Sequence, residues 1–253
     1  MSGHSKWSTI KRQKGVADAK RGQLFTKLSR EIALAVRQGG GSSPDMNPRL
    51  RLAIQKARDQ NMPMDNIEKA IKRASGEGEG ITLTESTFEG YGPGGVAFLI
   101  ETLSDNRNRT LQEIRSVLTR GGGSLGDTGS VGWQFDAKGL VVVEIGEADG
   151  DDIALSAIDA GAEDVKVEGS YVEVYTSIDN LGKIRTFLED KGLLVVSAEP
   201  SMIPNTTITL DESAALQIMK LIDRLEELDD VQRVSSNADF PSSALDQYQL
   251  SAG

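Results

Sequence analysis

The chain has 253 residues, 38% hydrophobic and 26% charged, a balance ordinary for soluble globular proteins and sufficient for two or three domains. It contains no cysteine and one histidine, which excludes disulfides, zinc-thiolate sites and thiol nucleophiles and points to a reducing compartment, taken as the cytoplasm. The net charge of −10 conceals a split: residues 1–75 hold 16 of the 28 Lys+Arg but 6 of the 38 Asp+Glu, so a segment of +10 precedes a body of −20.

The first residues are basic and lead into no apolar run, and aliphatic stretches such as Val96–Ile100 fall far short of the roughly 20 residues of a membrane span. Neither a secretory signal nor a span is expected. From Gly15 to about Gln38, Leu24, Phe25, Leu28, Ile32, Ala35 and Val36 recur at three- and four-residue steps, predicting a helix with Lys27, Arg30 and Arg37 on the far side. Gly39-Gly40-Gly41-Ser42-Ser43-Pro44 breaks it, and Asn47-Pro48 reads as an N-cap with proline at the first helical position. The second helix runs through Leu50, Ala53, Ile54 and Ala57. Met62-Pro63 ends that pattern, and Asp65 with Glu68 resembles a capping box opening a third helix with Ile67, Ala70, Ile71 and Ala74 inward.

Gly76-Glu77-Gly78-Glu79-Gly80 reads as a linker. Beyond it short strands alternate with helices: strands at Leu83–Glu89 and Gly95–Leu103, a helix at Arg107–Arg120, a strand at Val131–Phe135. Leu140–Ile145, Asp151–Ala160, Asp164–Val167, Tyr171–Tyr175, Asn180–Asp190 and Leu194–Ala198 then give β-α-β-β-α-β, a ferredoxin-like order. A strand at Thr206–Leu210, a helix from Asp211 to about Leu228 and a strand at Val231–Ser236 lack a sheet of their own and are expected to pair with residues 82–136. The fold class is therefore α+β with three domains: a basic helical domain at 1–78, a discontinuous α/β domain at 82–136 plus 205–245, and the ferredoxin-like unit at 138–204 inserted in it.

Catalysis has little support. No GxSxG elbow, P-loop or HExxH is present, and Asp149-Gly150-Asp151-Asp152 does not fit EF-hand spacing, so no enzyme, cofactor or metal is expected. If Met1 is removed, Ser2-Gly3-His4 presents an amine, two amides and an imidazole suited to Cu(II) or Ni(II), although a histidine in a basic tail is the simpler reading. The glycine clusters at 39–41, 92–95 and 121–123 could cradle phosphates, but the last two read better as tight turns. The functional signal lies in the basic module. Its cations are Lys6, Lys11, Arg12 and Lys14 in a tail; Lys20, Arg21, Lys27, Arg30 and Arg37 on the first helix; Arg49, Arg51, Lys56 and Arg58 on the second; Lys69, Lys72 and Arg73 on the third. These, with Arg37 set aside and Trp7 added as a possible stacking residue or tail anchor, are the candidate nucleic-acid-binding set. If about 6 to 10 cations meet phosphates, affinity falls by roughly three to five orders of magnitude between 50 and 200 mM salt. The alternative is that the basic module docks onto the acidic body of the same or another copy.

An ordered set of motifs carries a resemblance: Gly3-His4-Ser5-Lys6-Trp7, Asp18-Ala19-Lys20-Arg21-Gly22 with Phe25-Thr26-Lys27-Leu28, the triplet at 39–41, Asn47-Pro48-Arg49-Leu50-Arg51, Asn61-Met62-Pro63 with Asp65-Asn66-Ile67, Tyr91-Gly92-Pro93-Gly94-Gly95, Asp105-Asn106-Arg107-Asn108-Arg109-Thr110 and Gly129-Ser130-Val131-Gly132-Trp133. Together they resemble the YebC/PmpR family, whose relatives include the mitochondrial translational activator of cytochrome oxidase subunit I. The resemblance implies a cytoplasmic, non-enzymatic DNA-binding transcriptional regulator of three domains. For some members it implies instead a translation factor that works with ribosomal RNA and the ribosome at stalls. A monomer or weak homo-oligomer without membrane contact is expected.

Overall fold

A computed structural model describes residues 18–76, 83–146 and 148–251. They gather into two compact units, one drawn from 18–34, 76, 83–136 and 203–251, the other from 35–75, 137–146 and 148–202. The class is α+β, with a helical N-terminal region and two four-stranded sheets.

Helix α1 (Asp18–Gln38) buries Leu28, Ile32, Ala35 and Val36, leaving Leu24 and Phe25 half-buried. It stops where Gly40 and Gly41 take φ of 98° and 113°, a region costly to any residue with a Cβ. A Cβ at Gly39 would stand 2.3 Å from Asn47 Oδ1, so the chain closes on itself there only with glycine. Buried Asn47 caps α2 (Pro48–Asp59): its Oδ1 accepts from Leu50 N at 2.9 Å while Nδ2 donates to Ala35 O and Gly41 O, both at 2.8 Å. Leu50, Ala53, Ile54 and Ala57 face inward, as the spacing predicts. Helix α3 (Met64–Ser75) starts one residue before the predicted capping box. Asp65 lies inside its first turn, and the Pro63 carbonyl accepts from Asn66 N and Ile67 N at 2.9 and 3.3 Å.

The first unit holds an antiparallel sheet of order β3-β1-β2-β9, from β1 (Thr84–Tyr91), β2 (Ala97–Ser104), β3 (Ser124–Leu125) and β9 (Val231–Ser236). Helices α4 (Arg107–Arg120) and α7 (Glu212–Glu226) supply Ile114, Leu118, Ile218 and Ile222 to the core that also takes Phe98, Ile100 and Val234. Burying each such side chain stabilises by about 1.5–3 kcal/mol. The pairing of β9 with β2 joins residues 231–236 to residues 98–102.

The second unit contains β4 (Phe135–Glu144), α5 (Gly150–Asp159), β5 (Asp164–Glu168), β6 (Tyr171–Thr176), α6 (Leu181–Asp190) and β7 (Leu194–Pro204). The sheet order β5-β6-β4-β7 is that of a ferredoxin-like unit. Alternate residues Val141, Val143, Val172 and Val174 meet Ile153, Ala157, Leu181, Ile184 and Leu188 from the helices, and Leu52 of α2 packs against this core.

Some elements differ from expectation. Val131–Phe135 is not a strand: Gly132–Gln134 forms a 3-10 turn, because the backbone N–H groups there point at the Glu89 carboxylate rather than at a neighbouring strand. Thr206–Leu210 contributes only β8 (Ile208–Thr209), which pairs in parallel with β10 (Ala238–Asp239) outside the four-stranded sheet. Helix α8 (Ser242–Ser251) was not predicted; Ala244, Leu245 and Tyr248 join the core, and Tyr248 Oη donates to Asp223 Oδ2 at 2.7 Å.

Candidate nucleic-acid interface

Of the predicted binding residues, Lys6, Trp7, Lys11, Arg12 and Lys14 lie outside the described residues, as does Ser2-Gly3-His4. Lys20 lies in α1, and Arg21 on the same helix is exposed. Lys27 and Arg30 do not point away from their unit. Both are half-buried and turn onto the carboxyl end of α7 and the segment after it: Lys27 Nζ donates to Glu226 O at 2.5 Å, and Arg30 Nη1 to Asp229 O and Asp230 Oδ1, each at 3.0 Å. Gln23 Nε2 reinforces the contact at Glu227 O, 2.6 Å, and Asp229 Oδ1, 2.8 Å. Lys27 and Arg30 are therefore engaged within their own unit.

In the other unit α2 is pinned to α6. Arg185 forks onto Asp59, Nη1 to Oδ2 at 2.8 Å and Nη2 to Oδ1 at 3.0 Å, and its Nε donates to Glu189 Oε1 at 2.8 Å. The hydrogen bond to Asp59 leads in raising the guanidinium pKa above its ordinary value, against burial, which lowers it. Half-buried Lys56 sits 3.8 Å from Glu199 Oε2. Arg49 is exposed and donates to Gln38 Oε1 at 2.9 Å; Arg51, also exposed, folds back on the carbonyls of Pro44 and Asp45 at 3.1–3.2 Å. Arg58 is exposed with its Nη2 3.8 Å from Met64 Sδ. On α3, Lys69, Lys72 and Arg73 are all exposed, and their three- and four-residue spacing sets them on one face. Asp65 and Glu68, also exposed, stand one turn before Lys69 and Lys72, so that face is of mixed sign at its start and cationic toward its end.

The run Asp105–Thr110 carries no functional signal in the sequence; in the first unit it builds part of a carboxylate hub. Asp230, 2% exposed, accepts at Oδ2 from Arg109 Nη2 at 2.7 Å, Thr110 Oγ1 at 2.7 Å and Ser104 Oγ at 2.9 Å, and at Oδ1 from Arg30. Burial pushes its pKa up, but the hydrogen bonds from Arg109, Thr110 and Ser104 outweigh it and hold the carboxyl below its usual range. Arg109 also bonds Asp105 Oδ1 at 2.8 Å, and its pKa is raised, chiefly by the hydrogen bond to Asp230.

A second carboxylate organises the loop after β3. Glu89 accepts backbone N–H bonds from Gly129, Val131 and Gly132 at 2.7, 2.6 and 2.7 Å. Burial works to raise its pKa and these three bonds lower it, with a net fall. The loop carries Trp133, 73% exposed, its Nε1 donating to Ser130 O at 3.2 Å. An acid between Phe88 and Gly90 on a strand, followed 40 residues later by a glycine-containing run, gives no sequence signal of such a nest. Among the described residues no group of three His, Asp or Glu could hold a metal ion, and no helix is long and apolar enough to cross a membrane.

Residues 5–77 match the family model for the TACO1/YebC protein N-terminal domain, and residues 83–238 that for the TACO1/YebC second and third domain. A probable transcriptional regulatory protein of Dehalococcoides mccartyi is 58% identical over 252 residues, covering 100% of both chains. Another from Roseiflexus castenholzii is 51% identical over 98% of this chain and 99% of its own. A solved structure, a conserved hypothetical protein of Aquifex aeolicus, superposes with a TM-score of 0.80 at 44% identity, covering 88% of this chain and 92% of the other. The chain belongs to the TACO1/YebC family, and its relatives from Dehalococcoides mccartyi and Roseiflexus castenholzii are named probable transcriptional regulatory proteins.

Proposed function

We propose that this member of the TACO1/YebC family is a non-enzymatic, cytoplasmic regulator of gene expression that grips DNA by its phosphates. In this reading the region 1–78 provides the contact, while 82–136 with 205–245 and the ferredoxin-like 138–204 supply shape and partner contacts. The observation that carries it is the set of cations left over once internal pairing is subtracted: Arg58, Lys69, Lys72 and Arg73 stay exposed on α2 and α3. Lys6, Lys11, Arg12 and Lys14 would add to them. The names of the relatives support DNA as the polyanion. Phosphate contacts position a protein without reading sequence, so promoter choice would need further contacts.

A second reading, attachment to structured RNA such as that of the ribosome, is favoured by the state of α2. A reading helix must present base-contacting side chains along an open face. Here Asp59 and Lys56 are engaged with Arg185 and Glu199, and Arg51 is folded onto carbonyls. That leaves a grip suited to a backbone. Fluorescence anisotropy on duplex DNA and on a structured RNA, at several salt concentrations and beside ribosome co-sedimentation, separates the readings. Tighter binding to a promoter duplex than to random duplex supports DNA; ribosome association with indifferent duplex binding supports the second. If Lys69, Lys72 and Arg73 can all become Ala with no loss of affinity for either polyanion, the phosphate grip on α3 is wrong.

A further inference from the structure

Helix α5 turns Ile153 and Ala157 into the core of its unit, yet its opposite face carries Leu155 and Ile158, 62% and 54% exposed. Residues three and four apart on a helix are neighbours, so Asp151, Leu155 and Ile158 form one outward strip, with Asp152 and Asp159 beside it. A lone exposed leucine needs no explanation. This strip differs in its charge: from residue 139 to residue 165 the chain carries eight Asp and Glu and no Lys, Arg or His. Asp149 is spent capping the helix, its Oδ1 accepting from Asp151 N at 2.8 Å, and Glu163 pairs with Lys138 at 3.2 Å. Asp151, Asp152 and Asp159 are exposed. Acids in the first turn suit the helix dipole, but Asp159 sits at the carboxyl end, where the dipole disfavours an anion, and no basic residue occupies that last turn. Local electrostatics therefore does not account for the pattern.

We propose that the α5 face docks a cationic, amphipathic segment of a partner protein, with apolar side chains seated on Leu155 and Ile158 and Lys or Arg side chains against Asp151, Asp152 and Asp159. Charge excludes nucleic acid from this face and selects a basic protein. The inference stands apart from the phosphate grip, since it uses no residue of 1–75. The patch is small, so binding is expected to be transient, micromolar and weakened by salt.

The test uses the full chain, 15N-labelled, titrated with a 16-residue peptide of Lys and Arg bearing leucines on one helical face, and with a scrambled peptide of the same composition. Expected are shift changes confined to α5 and its neighbours and at least fivefold weaker binding of the scrambled peptide. At least fivefold weakening is also expected in Leu155→Ser/Ile158→Ser, and about tenfold in Asp151→Asn/Asp152→Asn/Asp159→Asn, with a flatter salt dependence. These positions are exposed, so thermal unfolding monitored in parallel should be nearly unchanged for Leu155→Ser/Ile158→Ser and fall only slightly for the Asp variant, which gives up first-turn charges matched to the helix dipole. Equal binding of both peptides with no effect of the Leu155→Ser/Ile158→Ser change overturns the proposal, leaving only generic charge attraction. Sedimentation of the peptide-free chain as a dimer that this change abolishes also overturns it, with a second copy as the occupant.

Discussion

Replacing Asp230 by asparagine keeps the size of the side chain and removes its charge where Arg30, Ser104, Arg109 and Thr110 converge. The Ser104 and Thr110 hydroxyls are 4% and 0% exposed at the residue level, so neither finds water when the carboxylate goes. A hydrogen bond to a charged group contributes about 1.5–3 kcal/mol, and stranding a buried partner costs a comparable amount. The neutral side chain escapes the burial cost of the carboxylate, which returns part of the loss. The net destabilisation expected for Asp230→Asn is about 3 kcal/mol, or roughly 6–12 °C in Tm for a protein of 150–250 residues. Urea unfolding followed by circular dichroism at neutral pH measures it. The sign with pH is fixed by the direction of the shift: the folded carboxyl titrates below its usual range, so its contribution is complete above that range and is lost as pH falls through the lowered value. The gap between wild type and Asp230→Asn should therefore close in acid. Midpoints within about 0.5 kcal/mol at neutral pH, or a gap that acid leaves unchanged, would refute the hub.

Glu89→Gln should loosen the loop that carries Trp133, lowering stability by about 1–3 kcal/mol above the carboxylate range and by less in acid, because this pKa too is depressed; tryptophan fluorescence and urea midpoints report it. Asn47→Ala removes a cap and leaves the Ala35 and Gly41 carbonyls without their shared donor, so about 2–4 kcal/mol of stability should go, measured by thermal unfolding. Lys27→Met and Arg30→Met should lower stability while leaving the salt slope of nucleic-acid binding unchanged. Lys72→Ala and Arg73→Ala should do the reverse, each flattening that slope by about 1. Anisotropy against salt beside a melting curve distinguishes the two pairs.

Much of the fold was legible because burial imposes period. The α2 boundary follows from a cap, a proline and an apolar stripe, and α4 from its apolar stripe, signals that act within one segment. The ferredoxin-like β-α-β-β-α-β succession follows from the alternation of short apolar runs with helical segments. What escaped depends on partners distant in sequence. Val131–Phe135 has a strand-like composition, but Glu89, some 40 residues away, takes its peptide donors. Lys27 and Arg30 occupy positions that helical periodicity assigns to solvent, and Glu226 for Lys27, with Asp229 and Asp230 for Arg30, about 200 residues on, make them structural. Periodicity identifies the apolar face of α1; it carries no information about what stands opposite the polar one. Short pieces such as β3, β8 and β10 have too few residues to show a period at all.

The same logic turns a count of cations into a bound on function. Sixteen Lys and Arg in residues 1–75 set the largest possible number of phosphate contacts. Internal pairing draws on Lys27, Arg30 and Lys56, and hydrogen bonds within the helical region draw on Arg49 and Arg51. If Arg58, Lys69, Lys72 and Arg73 alone meet phosphates, the log–log salt slope on duplex DNA should be about −3.6, far shallower than sixteen contacts would give. A measured slope steeper than this assigns the excess contacts to other cations, with Lys6, Lys11, Arg12 and Lys14 as the first candidates. Repeating the titration with those four changed to Ala should then bring the slope back to the value that α2 and α3 sustain by themselves.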